Sequence, residues 1–495
     1  MSYVELKTLT RKILITKCKL LGITGYSNKN KDNIINMILS KSNTNTDTDQ
    51  KEINNDDAKM TINIDNNEYD ELCNYYNNIL NLDKSTYKSS NDEPTPIDCV
   101  KEMINKIPLS FWEKKDIKIL DPCCGNGNFH LPILFKLLDR YDKKVILEDI
   151  LYFNDINIDR LNNVKKIFCD TKYKLNITNV DFIQMDVSIK YDLIVANPPY
   201  AKILSNGMRA SKNHNLIKDF LEKSLSLLND DGYLLFITPD NWMSYADRNT
   251  IIKTITKLQI IHLDIHNAKK YFSKIGSSFT WYIIENKPYY KEFTVSCKWK
   301  KNIYNDSVIC KERKFIPLLY NSIVERILSK TIDRIDLEKF EIKTSSDLHH
   351  YTKKSLISNQ ESDIYKYKLI HTPSQTVYAS RPHKYQDGYK VFISTTDKYQ
   401  TFIDNCGMTQ SIVFILCNSL DEAKLYKKIL DHPLYIFINN ICRWGNFNNI
   451  RILQNFPKPN INQYTNYSDD SVDDDPIFNY FNITDDEIQF IKTNL

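Results

Sequence analysis

The residues best suited to chemistry are Asn197-Pro198-Pro199-Tyr200. Two consecutive prolines fix φ and remove two backbone N–H donors, so the loop is stiff. It can offer a ligand two oriented acceptors, the Asn197 amide oxygen and a backbone carbonyl, with Tyr200 adding an aromatic face. Chance would produce this tetrapeptide in only about three in a thousand chains of this composition. A second group is the glycine-rich turn Asp121-Pro122-Cys123-Cys124-Gly125-Asn126-Gly127-Asn128-Phe129. Its glycines let backbone approach a ligand and tolerate positive φ. Neither a Lys-Ser/Thr pair nor a complete G-x-G-x-x-G is present, which argues against a phosphate loop. A third group is Asp155 and Asp186, each expected after an apolar strand. A carboxylate at the end of the second strand is well placed for ribose hydroxyls. Taken singly, either acid is as readily a helix N-cap.

These residues need a scaffold that brings strand ends together. Apolar strands are expected at 118–120, 150–153, 181–184, 191–196 and 232–238, with helices at 131–138, 159–168 and 215–228. Strand–helix alternation of this kind predicts a parallel, doubly wound sheet. Ligands bind such sheets beyond the carboxyl ends of the strands, where each of the polar residues named above falls.

The chain has 495 residues and a formal net charge of +4. That total conceals a pattern of +5 over 1–40, −8 over 41–98, +14 over 99–467 and −7 over 468–495. A basic body suggests a polyanionic partner. Length allows two or three domains, and 42% hydrophobic content argues against wholesale disorder. No apolar run approaches a membrane span, and the first residues lack a signal peptide's apolar core. The eleven cysteines form no C-x-x-C pair, so they are read as reduced, mostly buried thiols of an intracellular protein, with no metal site expected. Abundant Asn, Ile, Lys and Tyr suit an AT-rich genome and carry little functional meaning.

Residues 9–35 resemble the SAP domain, a short helical DNA-binding module, in a helix, a Gly22-Ile23-Thr24-Gly25-Tyr26-Ser27 turn, and Lys29-Asn30-Lys31 ahead of a second helix. Its basic face would meet phosphates. The alternative is a helical hairpin that packs on the body. Residues 93–290 resemble the S-adenosylmethionine-dependent adenine-N6 DNA methyltransferases that place the cofactor motif before the catalytic motif. The resemblance implies a Rossmann-like class I methyltransferase sheet. It implies cofactor contacts from Thr95, Pro96, Asp121, Pro122, Gly125, Gly127, Phe129, Asp155, Ile156, Asp186 and Asn197. It also implies a catalytic loop of Asn197, Pro198, Pro199 and Tyr200, with Tyr200, Phe272 and Phe279 stacking on a flipped-out base. For Phe272 and Phe279, core packing is an equally good reading. Duplex DNA and a cognate restriction endonuclease are the implied partners of a monomer, acting inside a cell or a viral factory.

The expected organisation is a helical module over 1–40, an acidic linker over 41–92 with one short helix near 68–82, the methyltransferase domain over 93–290, a mixed α+β recognition domain over 291–467 and an acidic tail over 468–495 that ends in a short helix from Thr484 to Thr493. Arg381, Lys384, Lys390, Arg443 and Arg451 are candidate phosphate or guanine contacts, each as readily a solvated surface cation. Glu422-Ala423-Lys424 has the spacing of some metal-dependent nucleases but lacks a Pro-Asp partner. RNA guanine-N2 and protein glutamine-amide methyltransferases use the same Asn-Pro-Pro-Tyr loop, because any planar amino or amide nitrogen poses the same problem. A methylase fold that binds DNA without turnover is a further alternative.

Overall fold

The computed structural model describes residues 6–7, 14–15, 18, 23, 29–43, 62–83, 85, 93–186, 188–200, 216–272, 276, 278–309, 312–396, 398–460 and 475–495. The chain divides into two compact units, Met1–Thr238 and Pro239–Leu495.

The first unit is built on five parallel strands: β1 (Ile119–Asp121), β2 (Leu151–Asn154), β3 (Asn176–Thr178), β4 (Tyr191–Ala196) and β5 (Leu228–Pro239), in the order β3-β2-β1-β4-β5. Ile119 lies opposite both Leu151 and Leu193, which places β1 centrally and aligns the strand ends that carry the site. In β4 every residue except Asp192 is buried, the near-continuous apolar run of a strand covered on both faces. Asp192 is held at its carboxylate by the Lys118 backbone N–H (2.9 Å) and the Asn229 amide (2.9 Å).

The helices are α1 (Lys31–Asn43), α2 (Tyr69–Asn78), α3 (Ile97–Ile104), α4 (His130–Leu137), α5 (Ile158–Ile167) and α6 (Leu216–Leu227); all but α3, which was not expected, lie close to the expected positions. The start of α5 is set by Asn157, whose side chain accepts from the Asp159 N–H. In α6, Ile217, Phe220, Leu221, Ser224 and Leu227 form the buried stripe.

Two expectations for this unit are corrected. Residues 182–184 are a single 3₁₀ turn capped by the Asp181 side chain; the third strand lies earlier, at Asn176–Thr178. Asp181 competes for the local backbone N–H groups, which favours a turn over a ladder. Within the expected linker, residues 62–83 are ordered structure. Ile64, Leu72, Cys73, Tyr76 and Leu80 are buried, and the Ile64 N–H donates to the Ile167 carbonyl at 2.9 Å. Asp65 joins this segment to Lys143 (3.0 Å), Lys172 (2.7 Å) and Tyr173 (3.0 Å). Five core residues anchor the segment despite its polar average. Near the amino end, Leu6, Leu14, Cys18, Ile23, Ile34, Ile35 and Ile38 share a small core of their own. Most of the turn read as SAP-like lies outside the described residues.

The second unit begins with β6 (Leu258–Ile265), β7 (Phe279–Pro288), β8 (Phe293–Trp299) and β9 (Asn302–Val308), in the order β7-β6-β8-β9. β7 and β8 both pair with β6, so the expected domain boundary at 290/291 falls inside one hydrogen-bonded sheet. Further on are α7 (Ser322–Lys330), two small sheets formed by residues 357–416, α8 (Leu420–Leu430) and α9 (Pro433–Cys442). This is the mixed α+β architecture expected for the region.

The expected acidic tail is also corrected over 475–495. Its final helix, α10 (Asp485–Asn494), is docked rather than solvated. Glu487 is fully buried and meets Arg326 (3.1 Å) and Lys330 (2.7 Å), while Asp486 meets Arg326 (2.6 Å). Phe490 packs edge-on to Phe437, and Asn494 accepts from the Tyr304 hydroxyl. The acidic residues of α10 complement cations on α7 and, at the helix start, the helix dipole.

Candidate active site

The glycine-rich turn leaves β1 and enters α4. Gly125 and Gly127 both have positive φ, +57° and +82°. A Cβ on Gly127 would sit 2.7 Å from the Phe168 ring, whereas a Cβ on Gly125 would meet only open space. Gly127 is thus required by packing, and Gly125 leaves backbone accessible. The turn is braced from within: Asp121 Oδ1 accepts the Cys123 N–H at 3.0 Å. Asp121 is 1% exposed, and burial pushes its carboxyl well above the usual carboxylate range. Asp121, Pro122, Gly127 and Phe129, all expected at the cofactor, are buried and shape the loop, leaving Cys123 and Gly125 as its accessible residues.

A web of neutral amides holds this loop, and composition gave no sign of it. Asn128 donates through Nδ2 to Asn81 Oδ1 (3.0 Å) and the Thr95 carbonyl (2.8 Å). Asn154, at the end of β2, donates to the Pro122 carbonyl (2.9 Å) and accepts from Thr178 (2.9 Å). Tyr76 donates to the Asn126 carbonyl at 2.7 Å. Behind the loop, His130 Nε2 lies 3.0 Å from the Tyr152 carbonyl, and its ring stacks on Phe153 at 3.7 Å. A carbonyl can only accept, so Nε2 carries the proton; burial holds this imidazole neutral, with its pKa down at about 3.

Asp155 follows β2 and is 4% exposed. Its two oxygens accept backbone N–H groups of Gly125 (2.8 Å) and Asn157 (2.7 Å). Ile156 beside it is 62% exposed, an apolar surface next to an acid and an open glycine. That set suits a nucleoside: acceptors for its hydroxyls and an apolar face for its base. Asp186 is exposed, two residues beyond the 3₁₀ turn.

Asn197 directly follows β4. Its Nδ2 donates to the Glu93 carbonyl (2.9 Å) and to Thr95 Oγ1 (3.2 Å), and the Tyr200 hydroxyl donates to its Oδ1 at 2.5 Å. The Cys123 thiol reaches the Asn197 carbonyl at 3.5 Å. The glycine turn and the Asn-Pro-Pro-Tyr loop, 74 residues apart in sequence, are therefore in contact at the ends of neighbouring parallel strands. Thr95 and Pro96 lie ahead of α3, and Thr95 is 2% exposed. Pro198 is buried and Pro199 exposed.

Several cations and aromatics of the second unit prove to have internal roles. Phe272 and Phe279 are each 3% exposed and pack on one another at 4.7 Å, as core aromatics. Lys390 is fully buried, with Nζ donating to the carbonyls of Asp387 (2.9 Å) and Gly388 (2.7 Å), so it is not a phosphate contact. Arg381 is held by both oxygens of Asp347, and Arg451 pairs with Asp247. Lys384 lies over the Tyr385 ring. Arg443 lines a cavity of about 530 Å³ with Trp299, Lys300 and Lys398. Glu422 accepts from Asn418 and Tyr426 at the start of α8, while Lys424 pairs with Asp421. Among the described residues no three His, Cys, Asp or Glu side chains converge as a metal site.

Comparison with known proteins bears on this geometry. The family model "Eco57I restriction-modification methylase" matches residues 97–272, a span that contains the glycine turn, Asp155 and the Asn-Pro-Pro-Tyr loop. Residues 97–272 are thus similar to Eco57I-type methylase domains. The strand order β3-β2-β1-β4-β5, with neighbours parallel, is that of a doubly wound, Rossmann-like sheet. The chain is also similar to the type II methyltransferase M.VspI of Vibrio sp. (strain 343), at 25% identity over 182 residues. The match covers 34% of this chain and 42% of that relative's length. Among solved structures, the type IIG restriction endonuclease BpuSI aligns with 99% of this chain and 71% of its own, at 12% identity and a TM-score of 0.43. The methyltransferase subunit of a type I restriction-modification system from Streptococcus thermophilus aligns with 54% of this chain and 56% of its own, at 14% identity and a TM-score of 0.37. Among the described residues no helix is long and apolar enough to cross a membrane.

Proposed function

We propose that this protein is a site-specific DNA methyltransferase that uses S-adenosylmethionine to methylate the N6 amino group of adenine. The observation that carries the reading is the contact between Cys123 and Asn197, which joins the nucleoside-suited turn to the acceptor loop. Gly125, Asp155, Ile156 and Asp186 would hold the cofactor, whose sulfonium supplies an activated methyl group. The adenine amino lone pair is delocalised into the ring, and so it is a poor nucleophile. Asn197 Oδ1 and the Pro198 carbonyl accept its two hydrogens, draw the nitrogen toward tetrahedral geometry and stabilise the positive charge that grows on it. Holding the amino group in line contributes several kcal/mol more. The target atom is out of reach within a duplex, so the base must be flipped out, with Tyr200 stacking on it at about 1–3 kcal/mol. The basic amino-terminal module acts as a tether to phosphates, and a partner nuclease completes the pair implied by the family.

The test is a labelled-methyl assay on duplex DNA, RNA and protein. Label is expected in DNA, as N6-methyladenine. Asn197→Ala should lower transfer by at least about a hundredfold while retaining cofactor binding. Asp155→Ala should weaken cofactor affinity by roughly tenfold in calorimetry. Label in RNA or protein alone would overturn the substrate, and full activity of Asn197→Ala would overturn the catalytic loop.

A further inference from the structure

The amide of Asn197 has two possible orientations related by a 180° flip, and only one presents an acceptor to an amino group. We infer that Thr95, together with the Glu93 backbone carbonyl, is the positioning element that selects that orientation, and that the Tyr200 hydroxyl occupies the acceptor until a substrate amino group displaces it. The inference rests on the methyltransferase reading above and names a residue that acts through Asn197.

The assignment follows from donor and acceptor chemistry. The Glu93 carbonyl, 2.9 Å from the Asn197 amide, can only accept. The group facing it must therefore be Nδ2; a flipped amide would set oxygen against oxygen. Thr95 Oγ1, at 3.2 Å, provides a second acceptor for Nδ2. With both amide hydrogens engaged on one side, Oδ1 must face the other, where Tyr200 donates to it at 2.5 Å. A phenol hydroxyl there makes the interaction that an adenine N6 hydrogen would make, from the residue whose ring is expected to stack on the base. Of the two acceptor positions of Oδ1, the hydroxyl covers one before the base arrives and yields it to the amino group.

Thr95 is itself rigid. It is 2% exposed, lies two residues before α3, and its carbonyl accepts from Asn128 in the amide web of the glycine turn. That carbonyl is unchanged by substitution of the side chain, so the web survives loss of the hydroxyl. Val is close to Thr in shape but lacks the acceptor.

The experiment compares Thr95→Val and Thr95→Ser in the full chain, with duplex DNA and the cofactor both saturating. Thr95→Val should lower kcat about tenfold with cofactor affinity unchanged within twofold, and Thr95→Ser should restore most of the loss. Tyr200→Phe, which keeps the ring and frees Oδ1, should not lower DNA affinity. In the ligand-free protein, the Asn197 side-chain amide resonance, assigned by its absence in Asn197→Asp, should shift and broaden in Thr95→Val. A wild-type protein that methylates no DNA would remove the functional reading and leave the resonance to decide the positioning role. An unchanged resonance with unchanged kcat, or a Thr95→Ser variant as slow as Thr95→Val, would overturn the inference.

Discussion

Around its site the first unit fixes polar groups with neutral amides, whereas the second unit fixes them with charge pairs. Asn81, Asn126, Asn128 and Asn154 are all buried near the glycine turn and hold it through carbonyls and one another. In the second unit, Arg313 lies between Glu325 (2.5 Å) and Asp333 (2.7 Å), and Arg326 and Lys330 close on Glu487. A buried amide needs only hydrogen bonds, and it adds no formal charge beside the site. A buried ion pair carries a large desolvation cost that its partner must offset. The contrast teaches that polarity near the site is for placement, while many charges of the second unit are internal ties and not a surface awaiting DNA.

Three experiments would break or sharpen that contrast. The largest effect is expected from Gly127→Ala. Both positive φ and the 2.7 Å approach to Phe168 oppose a Cβ, so the variant should lose about 2–4 kcal/mol in denaturant unfolding. A loss under about 0.5 kcal/mol would mean that the turn is not held rigidly by its packing.

Next comes Glu487→Gln, which leaves Arg326 and Lys330 facing a neutral group. A loss of about 1–3 kcal/mol is expected, smaller than for a fully buried pair because Arg326 is 47% exposed. A neutral outcome would return the last helix to the status of a solvated acidic end.

The smallest effect is a change of slope. An unfolded histidine takes up a proton below about pH 6.5. Folded His130, with its pKa down at about 3, does not. The unfolded state therefore gains protons as pH falls through this window, and stability declines between about pH 6.5 and pH 3. His130→Gln should flatten the fall of the thermal midpoint between pH 7 and pH 5. An identical slope in both proteins would place His130 in water.

Much of the first unit was readable in the chain itself. The apolar strands at 118–120, 150–153 and 191–196 and the helices between them were found within a residue or two, because period and burial leave a strong local signal. The stretch at 181–184 misled because Phe182 and Ile183 look like strand residues, while the deciding hydrogen bond belongs to Asp181. The short helices expected near 68–82 and at 484–493 are present, but average polarity hid their docking: a few core residues, Tyr76 and Phe490 among them, are enough to dock a polar segment.

By itself the sequence determined the doubly wound sheet, the stiff acceptor loop and the order of the motifs, since each depends on residues adjacent in the chain. Only the tertiary structure decided which acids brace a loop. It also decided which cations are internal, and that Thr95 and Tyr200 hold opposite ends of the Asn197 amide. These depend on distances between residues far apart in sequence, and hydrogen bonds and ion pairs act only over a few ångströms.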